Sequence, residues 1–248
     1  MFAAYGQRLV RKNFHSVRIS RDALPPPDSA QSMVVYFNHA SWWDPMICYC
    51  LADQYFKSKS CFGPIDSKAL ERYRFFSHLG LFGVEQNTAR GARDFLRTSQ
   101  DILSSPKNMI WMTPQGKFTD VRERPLQFRQ GLGSLARQCP ETSFIPMAME
   151  YVWWTERQAE VLISFGQPLI PSNEKPRNSS EWSQLFCNYL TEVQDGLAKR
   201  SCQREAGDWI ILNRGTSGVN KIYDSWRWLR AKLERKQFSA EHQPEMPR

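Results

Sequence analysis

SMVVYFNHASWWDP, residues 32–45, passes from one kind of local order to another within fourteen residues. Residues 32–37 are a short β-branched and aromatic run, the composition of a buried strand. Asp44-Pro45 has the form of a helix start: Asp suits the N-cap, and proline's fixed φ and missing N–H suit the first helical position. The helix is expected to reach about Phe56. Residues 107–112 (KNMIWM) repeat the arrangement and end in the turn-prone Pro114-Gln115-Gly116. Residues 144–150 and 160–165 supply two more strand candidates, and helical patterns are expected in the gaps. This alternation predicts an α/β fold, a mixed, largely parallel sheet covered by helices, with binding sites in the loops beyond the strand ends.

The rest of the chain bounds the possibilities. No Gly-, Ser- or Pro-rich linker divides it, so one domain is expected over residues 1–238, followed by a polar tail, 239–248. The longest apolar stretches, 46–52 and 144–154, fall short of the ~20 residues of a spanning helix. Arg11 and Lys12 follow the first apolar residues rather than precede them, which is the wrong order for a secretory signal. The expected place is therefore cytoplasmic, peripheral on the inner face of the membrane. Thirty-three Lys and Arg against 25 Asp and Glu give a net charge of +8, a surface biased toward nucleic acid, an anionic bilayer or phosphorylated molecules. The six cysteines form no CxxC pair and have no nearby His at ligand spacing, so no metal site is expected.

Both ends read as amphipathic helices. Phe2, Tyr5, Leu9 and Phe14 lie near one face of the first, beside Arg8, Arg11 and Lys12. Val219, Ile222, Tyr223, Trp226, Leu229 and Leu233 follow helical spacing near the other end, among Lys221, Arg227, Arg230 and Lys232. Each such helix fits either an anionic bilayer or the domain's own core, since the pattern does not identify its apolar partner.

Chemistry concentrates at Asn38-His39-Ala40-Ser41-Trp42-Trp43-Asp44. Residues five apart do not share a helical face, so His39 and Asp44 meet only if His39 sits in the turn and the chain bends back. If they meet, the carboxylate takes the Nδ1 proton and leaves Nε2 free to remove a proton from a substrate hydroxyl. That is two-thirds of a serine-protease relay, with the substrate's own alcohol as the nucleophile. The alternative is structural: Asp44 as a helix cap and His39 as a turn residue.

These residues resemble the NHxSxxD block of the glycerolipid acyltransferase family, typified by lysophosphatidate acyltransferase. The resemblance spans about residues 17–169. Lys68, Leu70 and Gly80-Leu81-Phe82-Gly83-Val84-Glu85-Gln86 resemble the second block, with Gln86 where the family has an acceptor-binding Arg. Thr113-Pro114-Gln115-Gly116-Lys117-Phe118-Thr119 is similar to the third block, usually FPEGTRS, and is followed by Phe128-Arg129-Gln130-Gly131. Phe144-Ile145-Pro146-Met147-Ala148 resembles the fourth. The resemblance implies an O-acyltransferase in which His39 is the general base, Asp44 orients it, and Asn38, Ser41, Lys68, Gln86, Pro114, Gln115, Gly116, Lys117 and Pro146 line the substrate site. It also implies an acyl-CoA or acyl-carrier protein donor, no bound cofactor, and a lipid acceptor at an anionic membrane surface. Gln86, Gln115 and Phe118 remove groups that hold an acceptor phosphate in the family, so a less anionic acceptor is expected, with Lys117, Arg90, Arg93 and Arg122 as possible replacement charges.

Competing readings are weaker. Gly131-Leu132-Gly133-Ser134-Leu135-Ala136 spells a dinucleotide loop, but no strand precedes it, and a plain helix start is expected. Trp226-Arg227-Trp228-Leu229-Arg230 would suit a nucleic-acid-binding module, yet it suits a bilayer interface equally, and no nucleic-acid partner is expected. A catalytically weak, lipid-binding relative is the remaining alternative.

Overall fold

The computed structural model describes residues 2–27 and 30–215. The amphipathic pattern at 219–233 and the tail at 239–248 lie outside them. The elements run α1 (Phe2–Asn13), β1 (Ser16–Ser20), β2 (Met33–Phe37), α2 (Asp44–Tyr55), β3 (Ser60–Asp66), α3 (Ser67–Arg72), β4 (Leu81–Val84), α4 (Ala89–Leu103) and β5 (Asn108–Met112). They continue with α5 (Gly131–Gln138), β6 (Ser143–Val152), β7 (Glu160–Phe165), α6 (Ser179–Gln203) and β8 (Trp209–Arg214). The fold is α/β, with a mostly parallel mixed sheet flanked by helices, as the alternation predicted.

The strand order is β4-β3-β5-β2-β6-β7-β1-β8. β4, β3, β5, β2 and β6 are mutually parallel. β7 runs antiparallel to β6, β1 parallel to β7 and β8 antiparallel to β1. β2 is buried along its whole length, which explains its unbroken apolar run: a central parallel strand is covered on both faces. Met33, Val35 and Phe37 pack with Ile47, Cys48 and Leu51 of α2 in one layer. Val34 and Tyr36 pack with Phe95 of α4, Leu132 of α5 and Phe186 of α6 in the other.

This layering positions the site. From β2 the chain crosses by α2 toward β3, whereas from neighbouring β5 it crosses by α5 toward β6. Parallel crossovers share one hand, so steps in opposite directions lie on opposite faces of the sheet. The loops leaving β2 and β5 therefore run to helices on opposite faces from the strands' carboxyl ends, the switch point beside which α/β sheets hold their ligands.

Several expectations need correction. The gaps between the strands read from sequence are not all helical: β1, β3, β4 and β8 are further strands. Gly63 and Pro64 in β3 and Gly83 in β4 break the apolar runs by which a strand is recognised. Of the two partners left open for the first helix, α1 takes the domain's own core: Val10 and Phe14 are buried, and Gln7 Nε2 donates to Asp53 Oδ2 at 2.7 Å. Gly6 makes that docking possible, since a Cβ there would lie 2.9 Å from Met46 Sδ. The buried face thus centres on Gly6, Val10 and Phe14, and Tyr5 of the expected face is exposed. The glycines of the dinucleotide-like spelling belong to α5, where a Cβ on Gly133 would meet Ser179 O of α6 at 2.0 Å. Among the described residues no helix is long and apolar enough to cross a membrane.

Candidate active site

The loop after β2 is fastened before it turns. Asn38, 2% exposed, donates through Nδ2 to Met149 O and accepts at Oδ1 from Met149 N, both at 2.9 Å. Its side chain imitates a peptide group and extends the β2–β6 ladder by one more rung. His39 follows, stitched to the loop after β5: its N–H donates to Gln115 Oε1 at 3.1 Å, and its carbonyl accepts from Thr119 N at 2.8 Å.

The chain then bends back. His39 Nδ1 lies 2.7 Å from Asp44 Oδ2, which also accepts from Ala40 N at 3.0 Å and Ser41 N at 3.1 Å. Asp44 Oδ1 accepts from the Tyr151 hydroxyl at 2.7 Å. The Asp44 side chain is fully buried, whereas that of His39 keeps 20% exposure. Four donors thus satisfy a carboxylate withdrawn from water, as a buried charge requires. A carboxylate partner places the ring proton on Nδ1 and leaves Nε2 as an acceptor.

Asp44 is not the helix cap that its sequence position suggests. The N-cap is Trp43, which makes no side-chain capping bond, and Asp44 is the first helical residue. Both its oxygens are taken by the loop and by β6, so none faces the first turn of α2.

Tyr151 escaped the sequence reading. It lies two residues past Met149 on the same face of β6, and only the sheet register brings it to Asp44. Burial, the Asp44 charge and the bond it donates to Asp44 push its phenol well above the usual tyrosine range. It therefore stays protonated and remains a donor at any working pH. Tyr151→Phe is expected to leave the fold intact but to lower stability by ~1–3 kcal/mol, the cost of removing one donor from a buried charged acceptor; urea denaturation measures this.

The other expected site residues divide. Pro114 and Gln115 are buried beside the His39 loop. Gly116 takes a left-handed φ of 66°, and the Arg129 side chain lies where a Cβ would stand, with Nε at 2.5 Å. Ser41 Oγ accepts from Trp43 N at 3.2 Å, a local turn contact. Lys117 is exposed in the same loop, and Lys68 is exposed on α3, just past β3. Pro146 is not brought to His39. It lies beneath Gly166 and Val193, in the face of β6 opposite Met147 and Met149, and its lack of an N–H falls where β7 has already left the ladder.

The charges also differ from expectation. Arg122 pairs with Asp120 at 2.7 Å and Arg90 with Asp94 at 3.6 Å, while Arg129 Nη2 reaches across to Gln86 Oε1 at 3.3 Å. Arg129 thus spans the loops after β4 and β5, and it is the guanidinium nearest the turn at Gly116 among the described residues.

A His–Asp pair at the point where oppositely directed crossovers leave the sheet is an arrangement suited to moving a proton. A family model described as Acyltransferase matches residues 13–150, more than half of the chain. The chain belongs to this family. The matched span of the acyltransferase contains Asn38, His39, Asp44, Gln115 and Arg129, and it ends one residue before Tyr151. No curated protein matches the chain.

Proposed function

We propose that this acyltransferase moves a fatty acyl group from a thioester, acyl-CoA or acyl-carrier protein, to a hydroxyl of a lipid at an anionic membrane surface. The observation that carries the reading is the 2.7 Å contact of His39 Nδ1 with buried Asp44, in the loop at the carboxyl end of β2. Nε2 of His39 takes the acceptor's hydroxyl proton while the oxygen attacks the thioester carbon. The C–O bond forms, the C–S bond breaks, and the proton passes from Nε2 to the departing thiolate. No enzyme nucleophile is required. Cys48, the thiol closest in sequence, is buried and held protonated by desolvation and by the charge of Asp44.

Gln86 and Phe118 stand where the resemblance implies arginines, so the site lacks two of the planar guanidiniums that fork onto a phosphate, and Arg129 shares its own with Gln86. We therefore assign the acceptor to lipids with less anionic headgroups than lysophosphatidate. Thiol release from both donors, measured across a lipid acceptor panel, tests this. Turnover with a neutral hydroxylated lipid is expected, a clear preference for lysophosphatidate would sink the acceptor assignment, and no turnover with any pair would sink acyl transfer itself.

Docking on lipid is supported by Trp42 and Trp153, each 66% exposed, in the loops that follow β2 and β6 at the edge of the sheet bearing His39. Exposed Lys117 and Arg157 stand in the loops of the same edge. Indole rings favour the headgroup level of a bilayer, and the cations favour anionic lipid. The double variant Trp42→Ala, Trp153→Ala is expected to bind anionic vesicles on the order of tenfold more weakly, read by co-sedimentation.

A further inference from the structure

Phe118 lies over the imidazole of His39, with ring centroids 4.1 Å apart and the planes 31° from parallel. Yet Phe118 is 58% exposed. A phenyl ring left largely in water gains little from burial, so core packing does not explain its place. The loop is built to hold it there. Gly116 closes a turn by donating its N–H to Thr113 O at 3.0 Å, and Thr119, next after Phe118, donates to His39 O at 2.8 Å. The segment carrying Phe118 is thereby tied to the backbone of the residue that Phe118 covers.

We infer that Phe118 is a positioning residue for proton transfer, its π face holding the imidazole plane and stabilising the imidazolium formed when His39 takes the acceptor's proton. This rests on the acyl-transfer reading above. One hydrogen bond at Nδ1 leaves the ring free to tilt about the line to Asp44, and an aromatic ring on one face removes much of that freedom. The phenyl face is also the negative pole of its quadrupole. Its attraction is weak for neutral imidazole and grows as positive charge develops, so the contact favours the transition state over the ground state. The remaining neighbours do not supply this. Gln115 and Thr119 meet only the His39 backbone, Tyr151 is neutral and acts on Asp44, and Asp44 acts in the ring plane. A hydroxyl reaches Nε2 in that plane too, so a ring on the face leaves the approach open.

The test is thiol release by wild type, Phe118→Leu, Phe118→Tyr and Phe118→Trp at saturating donor with the best acceptor. Phe118→Leu keeps an apolar side chain and loses the π face. It is expected to lower kcat by about two- to thirtyfold, with the acceptor KM unchanged within about twofold and an unaltered thermal midpoint, because the side chain is mostly exposed. The Tyr and Trp variants should retain most of the wild-type kcat. The His39 ring protons, followed by NMR, should show an upfield ring-current displacement in wild type that disappears in Phe118→Leu. A Leu variant as fast as wild type, Tyr and Trp variants as slow as Leu, or an effect confined to KM would each overturn the role of Phe118 while leaving acyl transfer standing. Absence of thiol release from wild type with every donor and acceptor would instead overturn the acyl-transfer reading, and this role with it.

Discussion

Replacing His39 with alanine is expected to lower kcat for acyl transfer by roughly 10²–10⁴-fold, the usual contribution of a positioned general base, without unfolding the chain. The ring is partly exposed, and the loop's fastenings through Asn38, Gln115 and Thr119 do not use it. Circular dichroism and the thermal midpoint should therefore stay close to wild type. One buried consequence remains: Asp44 loses one of its four donors, and water entering the vacated space can replace it. A folded His39→Ala protein that releases thiol at the wild-type rate would refute the proposed mechanism.

Asp44 should respond differently, because it supports the fold as well as the base. Asp44→Ala leaves two loop N–H groups, the Tyr151 hydroxyl and the His39 Nδ1–H without their acceptor in a buried place. A loss of ~3–5 kcal/mol is expected, comparable to breaking a buried charge pair, and urea denaturation should show it. Asp44→Asn separates the two roles. The Ala40 and Ser41 amides require an oxygen at the Oδ2 position, so the new amide nitrogen must take the Oδ1 side, where the Tyr151 hydroxyl can rotate to accept. The oxygen left facing His39 preserves the Nδ1–H tautomer, while the negative charge that steadies an imidazolium is gone. The Asn variant should accordingly stay folded, with kcat lowered on the order of 10²-fold and acceptor KM little changed. Equal unfolding of the Ala and Asn variants would show that the loop amides do not orient the side chain.

What the sequence disclosed and what it hid follow from the range of the interactions. β2, its loop and α2 are contiguous, and each carries a local signal: β-branched residues, then a turn, then proline at a helix start. β7 was legible because Val161, Leu162, Ile163 and Phe165 make a short β-branched and apolar run interrupted only by Ser164. β3 and β4 were not, because Gly63, Pro64 and Gly83 are tolerated there only by virtue of neighbouring strands. At the candidate site, the approach of His39 to Asp44 needed five residues of chain and a bend. Tyr151 is 107 residues from Asp44, and Met149 is 111 from Asn38; nothing local announces either contact. The misreading of Asp44 as a cap has the same origin. A capping rule describes a side chain with free oxygens, and here distant partners had already taken them.

The rung made by Asn38 ties the His39 loop to one particular alignment of β2 with β6. If β6 slid by a single residue, Asn38 would lose both bonds to Met149 and Tyr151 would turn to the opposite face, away from Asp44. An assembly error too small to abolish a compact shape would therefore break the proposed His39–Asp44 relay. On the proposed mechanism, acyl transfer would thus report the alignment of the two central strands as well as the chemistry of the loop.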